Sequence, residues 1–234
     1  MRNMHKDKFS CKKKLLAIAF LSFLAPLQAT GTGSICISTE SKSATIRISK
    51  LLNAKINVHA CSGDAGSGEL SVKISIDAKK QEFLFPYDAP AYSLAIDTSM
   101  DLNNDGILDL GVSSGGGRGG EGMWYWAFDK SNGVFAYLGE APALSIDTSK
   151  GKRIFATLSG SGDVQAVRYN YSVKDLKLVI SDATAFIPSD SSYRVVIMDC
   201  DASSVCKQTR VIEKVPTLLA QGCMAGTHEC KFSN

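Results

Sequence analysis

Short stretches of strictly alternating polar and apolar residues constrain this chain more than any other feature. Ala44-Thr-Ile-Arg-Ile-Ser49 alternates, and so does Leu70-Ser-Val-Lys-Ile-Ser-Ile-Asp77. Side chains that swap faces at every residue mark half-buried strands. Further strands are expected at Lys55–His59, Glu82–Phe85, Tyr92–Ile96, Ile107–Val112, Met123–Phe128, Val134–Leu138, Arg153–Ser159, Gln165–Tyr171, Leu176–Ile180, Tyr193–Met198 and Thr209–Val215. Most separators carry Gly, Asn, Asp, Pro or Ser. Ser62–Gly68 reads as a turn, and Asp129-Lys-Ser-Asn-Gly133 as a hairpin loop between aromatic strands. No segment sustains a helical period; Leu218–Ala225 suffices for one helical turn. Many short strands at short spacing indicate a sandwich, barrel or propeller. Ala89-Pro-Ala-Tyr-Ser-Leu-Ala-Ile-Asp-Thr-Ser99 resembles Ala141-Pro-Ala-Leu-Ser-Ile-Asp-Thr-Ser149, an offset near the length of a propeller blade. The expected fold is therefore all-β: a small β-propeller-like domain of short antiparallel strands with a disulfide-stapled tail.

The N-terminus reads as a targeting segment. Residues 1–14 are basic, Leu15–Leu24 is apolar, and Leu27-Gln-Ala29 offers a small residue at the cleavage edge. This is the form of a secretory signal, and the apolar run is shorter than the roughly 20 residues that span a bilayer. The expected organisation is a signal at 1–29 and one all-β domain at 30–234. Within that domain lie a loop-bearing region at about 92–180 and a Cys-rich extension at about 199–234. The full chain carries 26 basic and 23 acidic residues, net +3. Six of those basic residues and one acidic residue belong to the signal, so the remainder is net −2 and makes no case for a nucleic-acid partner. Of seven cysteines, Cys11 leaves with the signal. The six that stay are Cys36, Cys61, Cys200, Cys206, Cys223 and Cys230, an even count that favours disulfides in an exported chain. Their distribution suggests Cys36 with Cys61 and two bridges among the other four.

The most explicit chemistry lies in Asp101-Leu-Asn-Asn-Asp-Gly-Ile-Leu-Asp-Leu110. Calcium takes six to eight hard oxygens, and a tight loop supplies them when oxygen side chains recur at alternate positions around a permissive Gly. Asp101, Asn103, Asp105 and Asp109 fall at positions 1, 3, 5 and 9, Gly106 at 6, and the Ile107 carbonyl at 7. Position 12 is Val112, where a helix-flanked EF-hand needs a bidentate Glu. The expectation is a shorter calcium (Ca2+) loop between strands, with a structural role. A plain Asn-Asp-Gly turn is the bland alternative.

Ser113–Gly122 comes next, a glycine-rich run whose only charges are Arg118 and Glu121. It matches GxGxxG formally, but it leads into the strand-like Trp124-Tyr125-Trp126 in place of a helix, which excludes dinucleotide binding. The run reads as a surface loop. Alternation across the three aromatics predicts one buried face and one exposed face. Arg118, Glu121, Trp124, Tyr125 and Trp126 are thus candidates for partner binding. No catalytic set is expected. His59 and His228 lack an evident nucleophile, Ser159-Gly-Ser-Gly162 lacks the strand-to-helix elbow, and Glu121, Asp129 and Glu140 as an acid/base pair is a pattern many β proteins allow.

The calcium loop, then Trp124-Tyr-Trp-Ala-Phe-Asp129, Ser131-Asn-Gly-Val-Phe135 and Leu144-x-Ile-Asp147, resembles a family of exported bacterial β-propeller-like proteins with a single FG-GAP-like calcium loop. That family includes periplasmic immunity proteins against lysozyme-like effectors of type IV secretion. The resemblance spans about Ile96 to Leu178. It implies a periplasmic location, calcium binding, and inhibition of a peptidoglycan hydrolase by loops inserted into its cleft. The long glycine run and the tail from Cys200 to Cys230 depart from the family pattern. An exported carbohydrate-binding or adhesion module, with Trp124 or Trp126 as sugar platform, is the alternative, and a hydrolase is the third reading.

Overall fold

A computed structural model describes residue 36 and residues 38–63, 68–87, 94–117, 120–148 and 153–232. All lie in one compact unit, Ser34–Asn234. The proposed signal lies outside the described residues, as do Arg118, Tyr92, the centre of the Ser62–Gly68 turn and parts of both copies of the repeat. Among the described residues no helix is long and apolar enough to cross a membrane.

Among the described residues, fourteen strands form three antiparallel sheets. The first contains β1 (Ser38–Arg47), β2 (Asn53–Ser62), β3 (Gly68–Ile76) and β4 (Lys79–Tyr87) in sequence order. The second, also in order, contains β5 (Ile96–Asp97), β6 (Leu110–Gly117), β7 (Gly120–Asp129) and β8 (Val134–Pro142). The third contains β9 (Ser145–Ile146), β10 (Ile154–Ser159), β11 (Ala166–Lys174), β12 (Lys177–Ser189), β13 (Ser192–Cys200) and β14 (Cys206–Pro216). One helix, α1 (Thr217–Ala225), starts after Pro216 and stops at Gly226, whose φ of 72° is the left-handed value such an end requires.

The alternation seen in the sequence decides how the sheets stack. Ala54, Ile56, Val58, Leu70, Val72 and Ile74 on the inner face of the first sheet join Ile107, Leu110, Val112, Trp124, Trp126 and Phe128 of the second-sheet region in one core. The opposite face of β7 carries Met123, Tyr125 and Ala127, which join Leu138, Ile154 and Ala156 in a second core, with Tyr171 and Val173 packed against it. The middle sheet is therefore covered on both faces. A third core packs Phe186, Val195, Ile212 and Val215 against Ala220, Cys223 and Phe232 of the C-terminal segment.

Both ends of the stack are closed. The outer face of the first sheet presents Lys55, Asn57, His59, Glu69 and Lys73 to solvent, and the C-terminal segment covers the far face of the third. Polar terminal faces are how stacked repeats end. Each sheet is blade-like, a meander of consecutive strands, but no core joins the first sheet to the third among the described residues. The arrangement is a capped stack of three sheets.

Gln81 ties two sheets together. Its amide donates to the Phe135 carbonyl at 2.8 Å and accepts from the Phe135 N–H at 2.8 Å. The side chain thereby supplies the donor and acceptor that a neighbouring strand would give to β8, which blunts an open edge. The disulfides are Cys36–Cys61, Cys200–Cys206 and Cys223–Cys230, the first pairing and the C-terminal grouping that the distribution suggested.

Candidate metal centre and its surroundings

The loop between β5 and β6 is wound by its own carboxyls. The Asp105 N–H donates to Asp101 Oδ1 at 3.0 Å and to Asn103 Oδ1 at 3.1 Å; Gly106 N–H donates to Asp101 Oδ2 at 2.8 Å. Ile107 N–H donates to Asp105 Oδ1 at 2.8 Å. Asp and Asn accepting from the backbone two residues on is the usual mechanism of such turns. Asn104 and Gly106 have φ of 56° and 84°, the left-handed region that Asn and Gly tolerate best. The loop closes through Asp109 N–H to the Met100 carbonyl at 2.7 Å and Leu102 N–H to Asp109 Oδ2 at 2.7 Å.

Two apolar residues rivet this polar loop to the fold. Leu102 is buried in the core between the second and third sheets, Ile107 in the core between the first and second. The loop thus straddles the middle sheet and is held from both sides.

Its electrostatics are unbalanced. Asp109 is only 2% exposed. Burial, opposed by the N–H groups of Leu102 and Phe128 and reinforced by the charges of Asp105 and Asp101, pushes its carboxyl up to about 7. Among the described residues the loop's one ion pair is with Lys130, which donates to the Asp105 carbonyl at 2.6 Å and lies 3.7 Å from Asp105 Oδ2. Its side chain is more than half exposed, so it screens the rim and not the buried carboxyl.

Asp101, Asn103, Asp105, Asp109 and the Ile107 carbonyl offer only oxygen, the donor set that calcium prefers. Among the described residues no three carboxylate, His or Cys groups already converge into a finished cage. The donor type and the spacing suit calcium.

The glycine run departs from the expected loop. Its backbone continues the β6–β7 hairpin, with Gly115 opposite Gly122, Gly116 opposite Glu121 and Gly117 opposite Gly120. Residues without side chains give no periodicity to read, so the pairing was hidden. The expected exposed aromatic face is also corrected. Trp124 is 6% exposed, Tyr125 and Trp126 are 0%. Both faces of β7 meet a sheet. Phe85 stacks on Trp124 with centroids 4.4 Å apart, and Phe83 packs on Trp126 at 5.5 Å. The Tyr125 hydroxyl accepts from Leu144 N–H at 2.8 Å. These rings are packing residues, and a partner could not reach them. Arg118 and the side chain of Glu121 lie outside the described residues.

His59 does have a serine beside it, a neighbour that no spacing in the chain announces. Ser41 Oγ lies 2.9 Å from His59 Nδ1 across β1 and β2, where the two residues are directly opposite. The pair sits on the exposed polar face of the first sheet, and no acid holds the ring among the described residues, so it is a cross-strand hydrogen bond and not a relay.

No family model matches the chain, and neither a curated protein nor a solved structure matches it.

Proposed function

We propose that this chain is an exported, disulfide-bonded β protein whose middle sheet is locked by one calcium ion and which works by binding a protein partner. The carrying observation is the loop itself. Five oxygen donors are wound in register around Gly106, a buried carboxyl stands at their base, and Leu102 and Ile107 fix the loop to both faces of the middle sheet. A cation held by Asp101, Asn103, Asp105, Ile107 and Asp109 would offset the repulsion among three carboxylates and stiffen the sheet that the other layers pack on. Three disulfides and a leader-like N-terminus support export to an oxidising compartment such as the periplasm.

The partner class suggested by the sequence resemblance is a lysozyme-like peptidoglycan hydrolase. The β6–β7 hairpin, which glycine pairs lengthen beyond Ser113, is the element to which we assign that contact. The sugar-platform reading loses its support, because Trp124 and Trp126 are inside. Two measurements test the proposal. Melting curves of the wild type with calcium and with chelator should differ, and identical curves would remove the ion. Purified protein in excess should inhibit at least one of a panel of lysozyme-like hydrolases; full activity across the panel would remove the partner class.

A further inference from the structure

The third sheet turns a polar row toward the C-terminal segment: Asp147, Arg168, Asn170 and Thr184, each 3% exposed or less. Arg168 is the centre. Its Nη2 donates to Asp147 Oδ2 at 2.7 Å, its Nε to Asn170 Oδ1 at 3.1 Å and its Nη1 to the Cys223 carbonyl, while its guanidinium lies 3.9 Å over the Phe155 ring. A guanidinium carries five N–H donors. Three are engaged, and two have no acceptor among the described residues.

A cleft opens over this row. It is lined by Asp147, Arg153, Arg168, Asn170, Glu229, Cys230 and Lys231, and its cavity volume is about 50 Å³. One water needs roughly 10–15 Å³ on such a scale, so the space suits a few waters or one small polyatomic ion. The lining itself holds three cations and two carboxylates, with Asp182 behind it as the hydrogen-bond partner of Asn170. Asp147 serves Arg168 and Glu229 serves Lys231 at 2.9 Å, while Arg153 has no ion pair among the described residues. Burial first, and then the like charge of Arg153, lower the Arg168 guanidinium from its usual range, against Asp147 and Asp182, which raise it. A buried cation with spare donors and a second, unmatched cation thus line one small hollow. Arginine forks match planar or tetrahedral oxyanions in both charge and geometry.

We infer that this cleft is a binding site for a small oxyanion, a carboxylate or a phosphate group, held between Arg168 and Arg153 with Lys231 at the rim. The site is separate from the calcium loop and does not depend on the reading of that loop. Melting temperature is measured in sodium acetate and in sodium phosphate, without added calcium, against sodium chloride of equal ionic strength. A saturable rise in either oxyanion is expected, with an apparent affinity at least about tenfold weaker in Arg153→Gln. A response to acetate alone assigns a carboxylate ligand, and a response to phosphate alone assigns a phosphate. Arg153 is exposed, so its replacement leaves the fold intact. The absence of any saturable response in the wild type, or an equal response in Arg153→Gln, overturns the assignment.

Discussion

The second and third sheets begin alike and then diverge. Ala95-Ile-Asp-Thr-Ser99 and Ser145-Ile-Asp-Thr-Ser149 each place a two-residue strand at the edge of a sheet, β5 against Gly111 and Val112, β9 against Ile154 and Phe155. The connection out of each edge strand buries a carboxylate. The first uses an oxygen-rich loop to reach Asp109, whose neighbours are Asp101, Asp105 and a rim lysine. The second buries Asp147 at once and answers it with Arg168 at 2.7 Å. One sheet carries its counterion in the chain. The other gathers oxygen donors around Asp109 with no buried cation among the described residues, and the proposed calcium ion would supply the balancing charge. The repeated element is the edge strand, and the connection downstream of it is free to specialise.

The largest effect should come from breaking the internal pair. Arg168→Ala removes the guanidinium that lies 2.7 Å from the buried Asp147 carboxylate and should cost about 3–5 kcal/mol in urea unfolding. The double variant Arg168→Met with Asp147→Leu should recover much of that loss, since an apolar pair removes both desolvation penalties. If Arg168→Ala is tolerated with a loss below about 1 kcal/mol, the two sheets are not balanced in the way described.

Asp109 provides the next test. Its folded carboxyl is raised to about 7 from 3.8, so in chelator the folded state holds a proton between those values that the unfolded chain has lost. Metal-free stability should therefore fall as pH rises from about 4 to about 7, by on the order of 2–4 kcal/mol. Asp101, Asp105 and Lys130 are the charged groups around it, and Asp109→Asn should flatten the slope. Calcium should reverse the sign, because the ion binds the carboxylate. At a hundredfold excess over its Kd, calcium should add about 2.7 kcal/mol, and Asp105→Ala should abolish the gain. Parallel pH profiles with and without calcium would argue that Asp109 is a buried acid and nothing more.

Legibility in the sequence divides along the same contrast. Alternating side chains announced β3, and the Asp, Asn and Gly of residues 101–109 announced a tight oxygen-rich turn, because those residues bend the backbone at fixed offsets. The pairing of Gly115 with Gly122 was not announced, since glycine has no side chain to alternate. Alternation at Trp124-Tyr125-Trp126 identified two faces but not what each face meets, and a middle sheet with partners on both sides hides all three rings. Arg168 left no trace. Its partners Asp147, Asn170 and Cys223 are scattered from 147 to 223, and only the turn of the C-terminal segment onto the third sheet brings them together.

Lys130 sharpens the comparison at its weakest point. It is the closest thing the oxygen loop has to an Arg168, yet it reaches Asp105 from the rim with an exposed side chain and not Asp109 at the base. A surface pair of this kind contributes about 0–1 kcal/mol. Lys130→Ala should therefore change metal-free stability by less than about 1 kcal/mol, far below the cost of Arg168→Ala. In calcium the substitution should act the other way. Removing a positive charge beside Asp105 frees one ligand and strengthens attraction for the ion, so the calcium concentration at half-saturation should fall. Calcium titration followed by melting temperature reads both effects in one series. A large metal-free loss would make Lys130 the counterion that the loop carries for itself, and the distinction between the two sheets would disappear.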